Sequence, residues 1–587
     1  MNKKDQQSIL VTTAIEQTWG DPNENHIFLG EWCKRYSRRK IWSSLNHQTV
    51  NYHWRDRNKV HQDHDYLSSL YDRSIDFLTD LLNSYHHIDF SSQYWQKIVG
   101  PWLLTYIAVV WDRWETVRVL VNNHKDFYYY KYSRPFKSIP KDYEDSIKFF
   151  GSDNWNETLF SSILMFYDIP HIDLENDEEI NSQFSSRTSF LENIRILIIR
   201  LLNFFMKSRK KLVIFHSYFT RFFFLSLRIK NKYLSTLNIY LNQKIRYSKE
   251  SDRSKIQAVD KYFNPQNTFE EFLFKRILND IPIAHIESFN KIRRISSQIP
   301  FANLIFTANA HFGNELFKVW SAANCELGAK LIISSHGGAI YPLFSVFDYQ
   351  EKIADIRVIW GSSWMNDQVT LPPNKLSYKV RKVKTNGQVT IIDNDSLRYT
   401  YRCMSASQGP SVLESFKHTE HLANKLLRSS IRLKFRPKYS GDCETALMYE
   451  DKFGKDCLIP KNEKIRKTFK NSRLIICTYP QTAFSESMFS GVPTVLVYVD
   501  RIWETQPIYK DLLKELKDAK ILHTNYSIAA DHIKSIYDNT YDWWNSNEVI
   551  MARQHFNKMC ITIQSNQLGL WNEFFHSTYE DSFKVND

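Results

Sequence analysis

The sequence predicts an α/β fold with parallel, Rossmann-like sheets, and three observations carry that prediction. Short apolar runs of strand length recur along the chain, among them LIFT at 304–307, KLIIS at 330–334 and LIIC at 474–477. Each ends in a polar or small segment: ANAHFGNE, SHGGAIYP and TYPQT. Helix-length segments separate the runs, and strands joined by helices lie parallel. In such sheets ligands are met at the carboxyl ends of strands, so the polar segments are where function is sought.

Taken in order, SILVTT at 8–13 is the first strand, with Glu16 and Trp19 in the turn after it. Residues 26–29 form a second strand that runs into Gly30, Glu31, Trp32 and Cys33. Apolar residues then recur at helical spacing through 66–135, and residues 150–210 continue mostly helical. This stretch, about 66–210, reads as a helical insertion in the N-terminal half, with Pro101 expected in a first turn or at a kink. KLVIFH at 211–216 resumes the strands, followed by 304–307, 330–334 and 358–360. Past the Pro372-Pro373 break a second α/β series begins, with strands at 389–393, 431–435, 474–477, 494–499 and 521–523. The expected domains are therefore 1–350 and 375–587, with a last, aromatic-rich helix over 549–575.

The 77 Lys and Arg against 64 Asp and Glu leave a net charge of +13, which favours anionic partners. No Lys/Arg block is long enough to read as a nucleic-acid tail, so no nucleic-acid partner is expected. Seven scattered cysteines without a CxxC pair argue against a zinc site and for a reducing compartment. The first residues hold no apolar run of signal-peptide length. The apolar stretch at 196–206 is broken by Arg200 and Asn203 and is too short to span a bilayer. A cytoplasmic protein is expected, with peripheral contact at the inner membrane surface.

The segment 472–499 reads as strand, turn, helix, turn, strand. Its turn carries Thr478, Tyr479, Gln481 and Thr482 at a helix N-terminus, where N–H groups and hydroxyls suit a phosphate. Glu486 lies one helical turn further on, within reach of a ribose hydroxyl. With Gly491-Val492-Pro493-Thr494 behind it, the segment resembles the donor-nucleotide site of GT-B glycosyltransferases. The opening, ILVTTAIEQTW followed by HIFLGEWC, closely resembles a family of bacterial transferases from O-antigen and capsule gene clusters. YWQKIVGPWLLTYIAVVWDR at 94–113, SHGG and TYPQT fit the same family, so the resemblance runs from about residue 8 to about residue 500. It implies a GT-B-like fold, with two Rossmann-like domains facing a cleft and a C-terminal helix returning to the first. It also implies a nucleotide-sugar donor held by the C-terminal domain, a glycan or lipid-linked acceptor, and no cofactor.

Lys434-Phe435-Arg436-Pro437 resembles the K-x-H-P segment of Kdo- and sialyl-type transferases, with Arg436 in place of the His. Arginine holds phosphate in a bidentate fork but cannot give up a proton. His336, followed by Gly337 and Gly338, ends a strand; it could act at a phosphate or carry a proton, or simply cap a helix. His311 follows another strand end among Asn309, Asn314 and Glu315, as a cleft residue or a structural one. An inverting transferase needs a base for the acceptor hydroxyl. Glu31 is preferred over Glu16, because Gly30 lets the chain turn tightly and Trp32 offers a stacking face for a sugar. Otherwise Glu31 simply pairs with Arg35 or Arg38, which with Arg39 and Lys40 make a basic cluster. No metal is expected, in keeping with a donor phosphate held by N–H groups and arginine. The resulting expectation is a glycosyltransferase, with a CMP-linked acidic sugar favoured as donor and a CDP-linked polyol phosphate or a UDP or GDP sugar open. The reading from another class is a non-catalytic carbohydrate- or nucleic-acid-binding protein on the same fold.

Overall fold

The structure, a computed structural model, describes residues 7–175, 212–231, 241–251, 253, 264–338, 340–375 and 387–584. Among the described residues, fifteen strands build three sheets of five, and the strands pair in parallel throughout. Residues 176–211, which hold the last part of the expected insertion, lie outside the described residues.

The first sheet holds β1 (Ser8–Val11), β2 (His26–Phe28), β3 (His47–Thr49), β4 (Phe127–Tyr132) and β5 (His171–Leu174) in the order β3-β2-β1-β4-β5. The second holds β6 (Leu212–Phe215), β7 (Leu304–Thr307), β8 (Lys330–Ser334), β9 (Ile356–Ile359) and β10 (Gln368–Thr370), side by side in chain order. The third holds β11 (Gln388–Ile392), β12 (Leu433–Arg436), β13 (Ser472–Cys477), β14 (Thr494–Val497) and β15 (Leu522–His523), ordered β12-β11-β13-β14-β15. The α/β class with Rossmann-like parallel sheets is as the sequence predicts. The N-terminal half, however, carries two such sheets.

Two of the strands that the sequence reading lacks, β4 and β5, arise in the stretch expected as a helical insertion. Two long helices, α1 (Arg57–His86) and α2 (Ser92–Asn123), fill its first part, capped by Asp56 and Ser91 side chains that accept from Asn58 and Tyr94 N–H groups. Pro101 sits in the interior of α2, which runs on through it, and not in a first turn. Beyond α2 the chain returns as β4, FYYYKY, which pairs with β1 through Ser8–Phe127, Ile9–Tyr128 and Leu10–Tyr129. Aromatic residues favour a half-buried pleated surface, so this run reads as a strand once a neighbouring strand is available.

Four further helices bear on function: α3 (Arg221–Lys230), α4 (Pro410–Leu427), α5 (Thr482–Ser490) and α6 (Gln567–Lys584). The expected final helix over 549–575 is two: Asn547–Cys560 and α6, separated by residues 561–566. α6 lays Trp571 and Phe575 against Phe306 of the second sheet, edge to face at 5.6 and 5.3 Å.

The first and third sheet units are tied by ion pairs. Arg398, ahead of α4, reaches Asp153 at 2.9 Å, and its Nη1 donates to the carbonyl of Trp32. Arg39 pairs with Asp451, and the Ser37 N–H and hydroxyl donate to Glu444 at 2.9 and 2.8 Å. Arg57 pairs with Glu504 at 3.0 Å. These contacts stand around a cavity.

A basic cleft between the first and third sheets

The cavity has a volume of about 480 Å³. Its floor and one wall come from loops at the carboxyl ends of β2 and β3, which supply Glu31, Lys34, Tyr36, Trp42, Tyr52, Trp54, Arg55 and Arg57. The other wall comes from the segment after β11 and from α4, supplying Arg402, Met404, Gln408, Ser411, Leu413 and Lys417, with Lys452 and Arg501 at its edge. In a parallel sheet every strand points its carboxyl end the same way, so the cleft lies where two such edges meet. Among the described residues that line it, seven are cationic and three are carboxylates.

The cations are not equivalent. Lys34 pairs with Glu31 at 2.9 Å, Lys452 with Glu420 at 2.5 Å and Arg501 with Glu414. Among the described residues, the side chains of Arg55 and Lys417 make no hydrogen bond or ion pair, and both are exposed. A cleft with an excess of one charge concentrates counter-ions of the other. α4 adds to the field. Gly409, at φ 47°, turns the chain into Pro410, and no side chain caps the helix. A Cβ at Gly409 would overlap the Thr400 hydroxyl, so only glycine fits there. The N-terminus of this 18-residue helix thus opens its positive end on the cleft. Tyr52, in the floor, is fixed by donating to Asp112 and accepting from the Thr400 hydroxyl, at 2.7 Å each.

Of the residues singled out in the sequence, Glu31 lines this cleft and the others stand elsewhere. Glu31 pairs with Lys34 instead of Arg35 or Arg38. Glu16 is held by Arg38 through two hydrogen bonds of 2.5 and 2.6 Å, which lower its carboxyl below the ordinary range. Trp32 is 1 % exposed, with its ring stacked on Phe160 at 5.8 Å and its Nε1 donating to Thr12, so it offers no face to a sugar. Its size and position make it core. The three arginines of the basic cluster are spent on ion pairs, Arg35 with Asp153, Arg38 with Glu16 and Arg39 with Asp451, while Lys40 is exposed.

The 478–482 turn lies at the carboxyl end of β13, beside β11, where the third sheet's strand order reverses. Its polar groups are already engaged. The Thr478 hydroxyl donates to Asp393 at 2.5 Å, and Tyr449 donates to the same carboxyl. Tyr479 stacks on Trp503 at 6.1 Å. Gln481 donates to the Ile340 carbonyl at 3.2 Å, and the Thr482 hydroxyl accepts from the Gly338 N–H at 2.9 Å. Glu486 is buried and pairs with Lys375 at 2.9 Å. Arg436 donates to Thr468 and to the Glu463 carbonyl at 3.0 and 2.7 Å, and Lys434 donates to the Asp456 carbonyl. The structure brings the turn together with Gly337 and Gly338, but as a seam between the second and third sheets. A Cβ on Gly337 would overlap the Thr482 hydroxyl, and Gly338 holds φ at 76°, so the two glycines let the backbones close on each other. Removing the acceptor in Thr482→Ala leaves the buried Gly338 N–H unpaired and is expected to lower stability by about 1–3 kcal/mol, read by urea unfolding. Nucleotide affinity is expected to stay unchanged.

His336 stacks on Tyr218 at 6.0 Å beside this seam. Burial, together with Arg357, Lys375 and Arg402, pushes it down to about 4 from the ordinary 6.5. It is therefore neutral at pH 7. The unfolded chain takes up this proton near pH 6.5 and the folded chain near 4, so its contribution is full above 6.5 and is lost as pH falls towards 4. His336→Gln is expected to flatten the fall of Tm across that window, and an unchanged slope would contradict this. His311 is buried, near Gln350 at 3.2 Å, and burial again lowers it well below the usual range. Neither histidine lines the cleft.

The cleft residues that sequence reasoning missed are Tyr36, Trp42, Tyr52, Trp54, Arg55, Arg57, Arg402, Lys417, Lys452 and Arg501. A signal was present in NYHWRDR at 51–57, where aromatic and basic residues interleave directly after a strand.

Among solved structures, the chain is similar to MurG of Acinetobacter baumannii, at 12 % identity over 62 % of this chain and 99 % of that one, with a TM-score of 0.32. It is similar to a putative UDP-N-acetylglucosamine 2-epimerase of Listeria monocytogenes, at 10 % identity over 65 % and 98 %, with a TM-score of 0.35. The wall teichoic acid polymerase TagF matches at 9 % identity over 68 % and 100 %, with a TM-score of 0.29. Likenesses this remote carry no functional weight. No curated protein matches the sequence. The sequence model of one transferase family does match, over residues 8–575, and that span takes in all three sheets and both walls of the cleft: the chain belongs to the LIC12162 family of transferases.

Proposed function

We propose that the protein is a glycosyltransferase that holds a nucleotide-activated sugar in the cleft between the first and third sheets and passes the sugar to a hydroxyl acceptor. The observation that supports this reading is the excess of cationic side chains, two of them unpaired among the described residues, at the meeting of two sheet edges. The donor's phosphate is the anion that such a field, with the α4 N-terminus, would take. The half-buried rings of Tyr36 and Trp42 suit a base or a sugar ring. Glu31 takes the proton of the acceptor hydroxyl as that oxygen bonds to the anomeric carbon. The bond from that carbon to the donor phosphate breaks, and the nucleotide leaves with the electron pair, its charge met by the cleft cations. The cations supply the charge that a metal supplies elsewhere, so turnover is metal-independent on this account.

A CMP-linked acidic sugar brings a phosphate and a carboxylate together, and two unpaired cations on opposite walls fit that pair of anions. The acceptor is a surface polysaccharide or a lipid-linked glycan, following the family resemblance of the sequence. Thermal shift with CMP, CDP, UDP and GDP in the presence of chelator tests the reading. One nucleotide should raise Tm clearly above the rest. No shift with any of them would favour a non-catalytic binding protein.

A further inference from the structure

α3 (Arg221–Lys230, RFFFLSLRIK) follows β6 and turns two apolar faces in opposite directions. Its inner face is accounted for: Leu227 is fully buried, and Phe223 stacks at 5.0 Å on Phe219, which meets Trp571 of α6 at 5.0 Å. Its outer face is not. Phe222 is 80 %, Leu225 54 % and Ile229 78 % exposed. Spaced three and four apart, they form one stripe along the helix. Arg221, Arg228 and Lys230 are also exposed and flank that stripe on both sides. Among the described residues, none of the three makes an ion pair.

We propose that α3 is a docking surface for an anionic lipid bilayer, with Phe222, Leu225 and Ile229 entering the acyl boundary and the three cations meeting lipid phosphates. A helix pinned to its protein by one face, with bulky apolar residues and basic flanks on the other, has the build of an interfacial helix. The choice of a lipid surface over a second copy of this chain rests on charge. A two-fold contact through this stripe would set the six cations of the two helices against one another. A lipid surface of negative potential attracts them instead, and the chain as a whole carries +13. Docking here would hold the carboxyl edge of the second sheet near the bilayer, because only five residues separate Phe215 at the end of β6 from the start of α3. Membrane docking of this kind is independent of where the donor binds.

Co-sedimentation of the full chain with vesicles tests it. Wild type is expected to sediment with mixed phosphatidylglycerol and phosphatidylethanolamine vesicles and to remain in solution with phosphatidylcholine alone. Phe222→Asp with Ile229→Asp is expected to weaken vesicle binding about tenfold or more, since it replaces inserted apolar groups with charges that an anionic surface repels. Because both side chains face solvent, Tm should hold. If that variant fails to fold, Arg228→Glu with Lys230→Glu should weaken binding to anionic vesicles in the same way. The proposal is overturned if wild type ignores anionic vesicles or if both variants bind like wild type. It is equally overturned if sedimentation velocity shows that the stripe mediates self-association while vesicles remain unbound.

Discussion

Glu31→Gln is expected to lower turnover about 100-fold or more, the scale of a lost general base, while nucleotide affinity stays within error. The substitution keeps the side chain's shape and its hydrogen-bonding reach and removes the proton acceptor. Among the described residues, Glu31 is the one carboxylate from the first sheet's loops that lines the cleft, and its side chain remains one-third exposed. Its neighbour Lys34 also donates to Thr49 at 3.1 Å, which fixes the ammonium beside the carboxylate without covering it. Glu16 provides the contrast. It is clamped in a two-pronged pair with Arg38 and does not line the cavity, so Glu16→Gln should cost less than about 1 kcal/mol of stability and leave turnover near wild type. Steady-state rates of the two variants under saturating donor decide between them. If Glu16→Gln is the inactive one, the roles are exchanged.

Arg55→Ala with Lys417→Ala is expected to weaken nucleotide binding about a hundredfold or more. Each charge-assisted contact to a phosphate or carboxylate contributes about 1.5–3 kcal/mol, and the two residues reach the cleft from opposite walls. Neither side chain supports the fold through a hydrogen bond or ion pair among the described residues, so Tm without ligand should be unchanged. That distinguishes this pair from Arg57 or Arg501, whose removal would take the arginine partner from Glu504 or Glu414. Calorimetry with the nucleotide that gives the largest thermal shift reads the effect. Unchanged affinity in the double variant would remove the cleft's cations from the donor site.

Much of the fold was legible because its strands are short β-branched runs cut off by polar turns. LIFT, KLIIS and the run before TYPQT are β7, β8 and the end of β13. β4 was not legible, because FYYYKY follows a 32-residue helix rich in aromatic residues and lacks the β-branched signature. Without β4, the first sheet cannot be seen as separate from the second. The site was legible only in part, for a related reason. TYPQT and SHGG are a real pair that the fold brings into contact, and local pattern points to each of them. What local pattern does not reveal is that their hydroxyl, amide and N–H groups satisfy one another. The cleft, by contrast, is assembled from residues hundreds of positions apart, such as Arg55 and Arg402, and no window of sequence contains both of its walls. Trp32 shows the same limit in reverse. A Trp beside a glycine after a strand has the look of a stacking platform, yet Phe160, far along the chain, covers its face.

A donor held between the first and third sheets leaves a different footprint from one held at the 478–482 turn. Hydrogen exchange with and without saturating nucleotide reads that footprint directly, because bound ligand slows exchange where it contacts backbone. New protection is expected in residues 52–60 and 404–414, with residues 472–490 unchanged. Protection confined to residues 478–486, with none in the cleft walls, would contradict a donor site in the cleft.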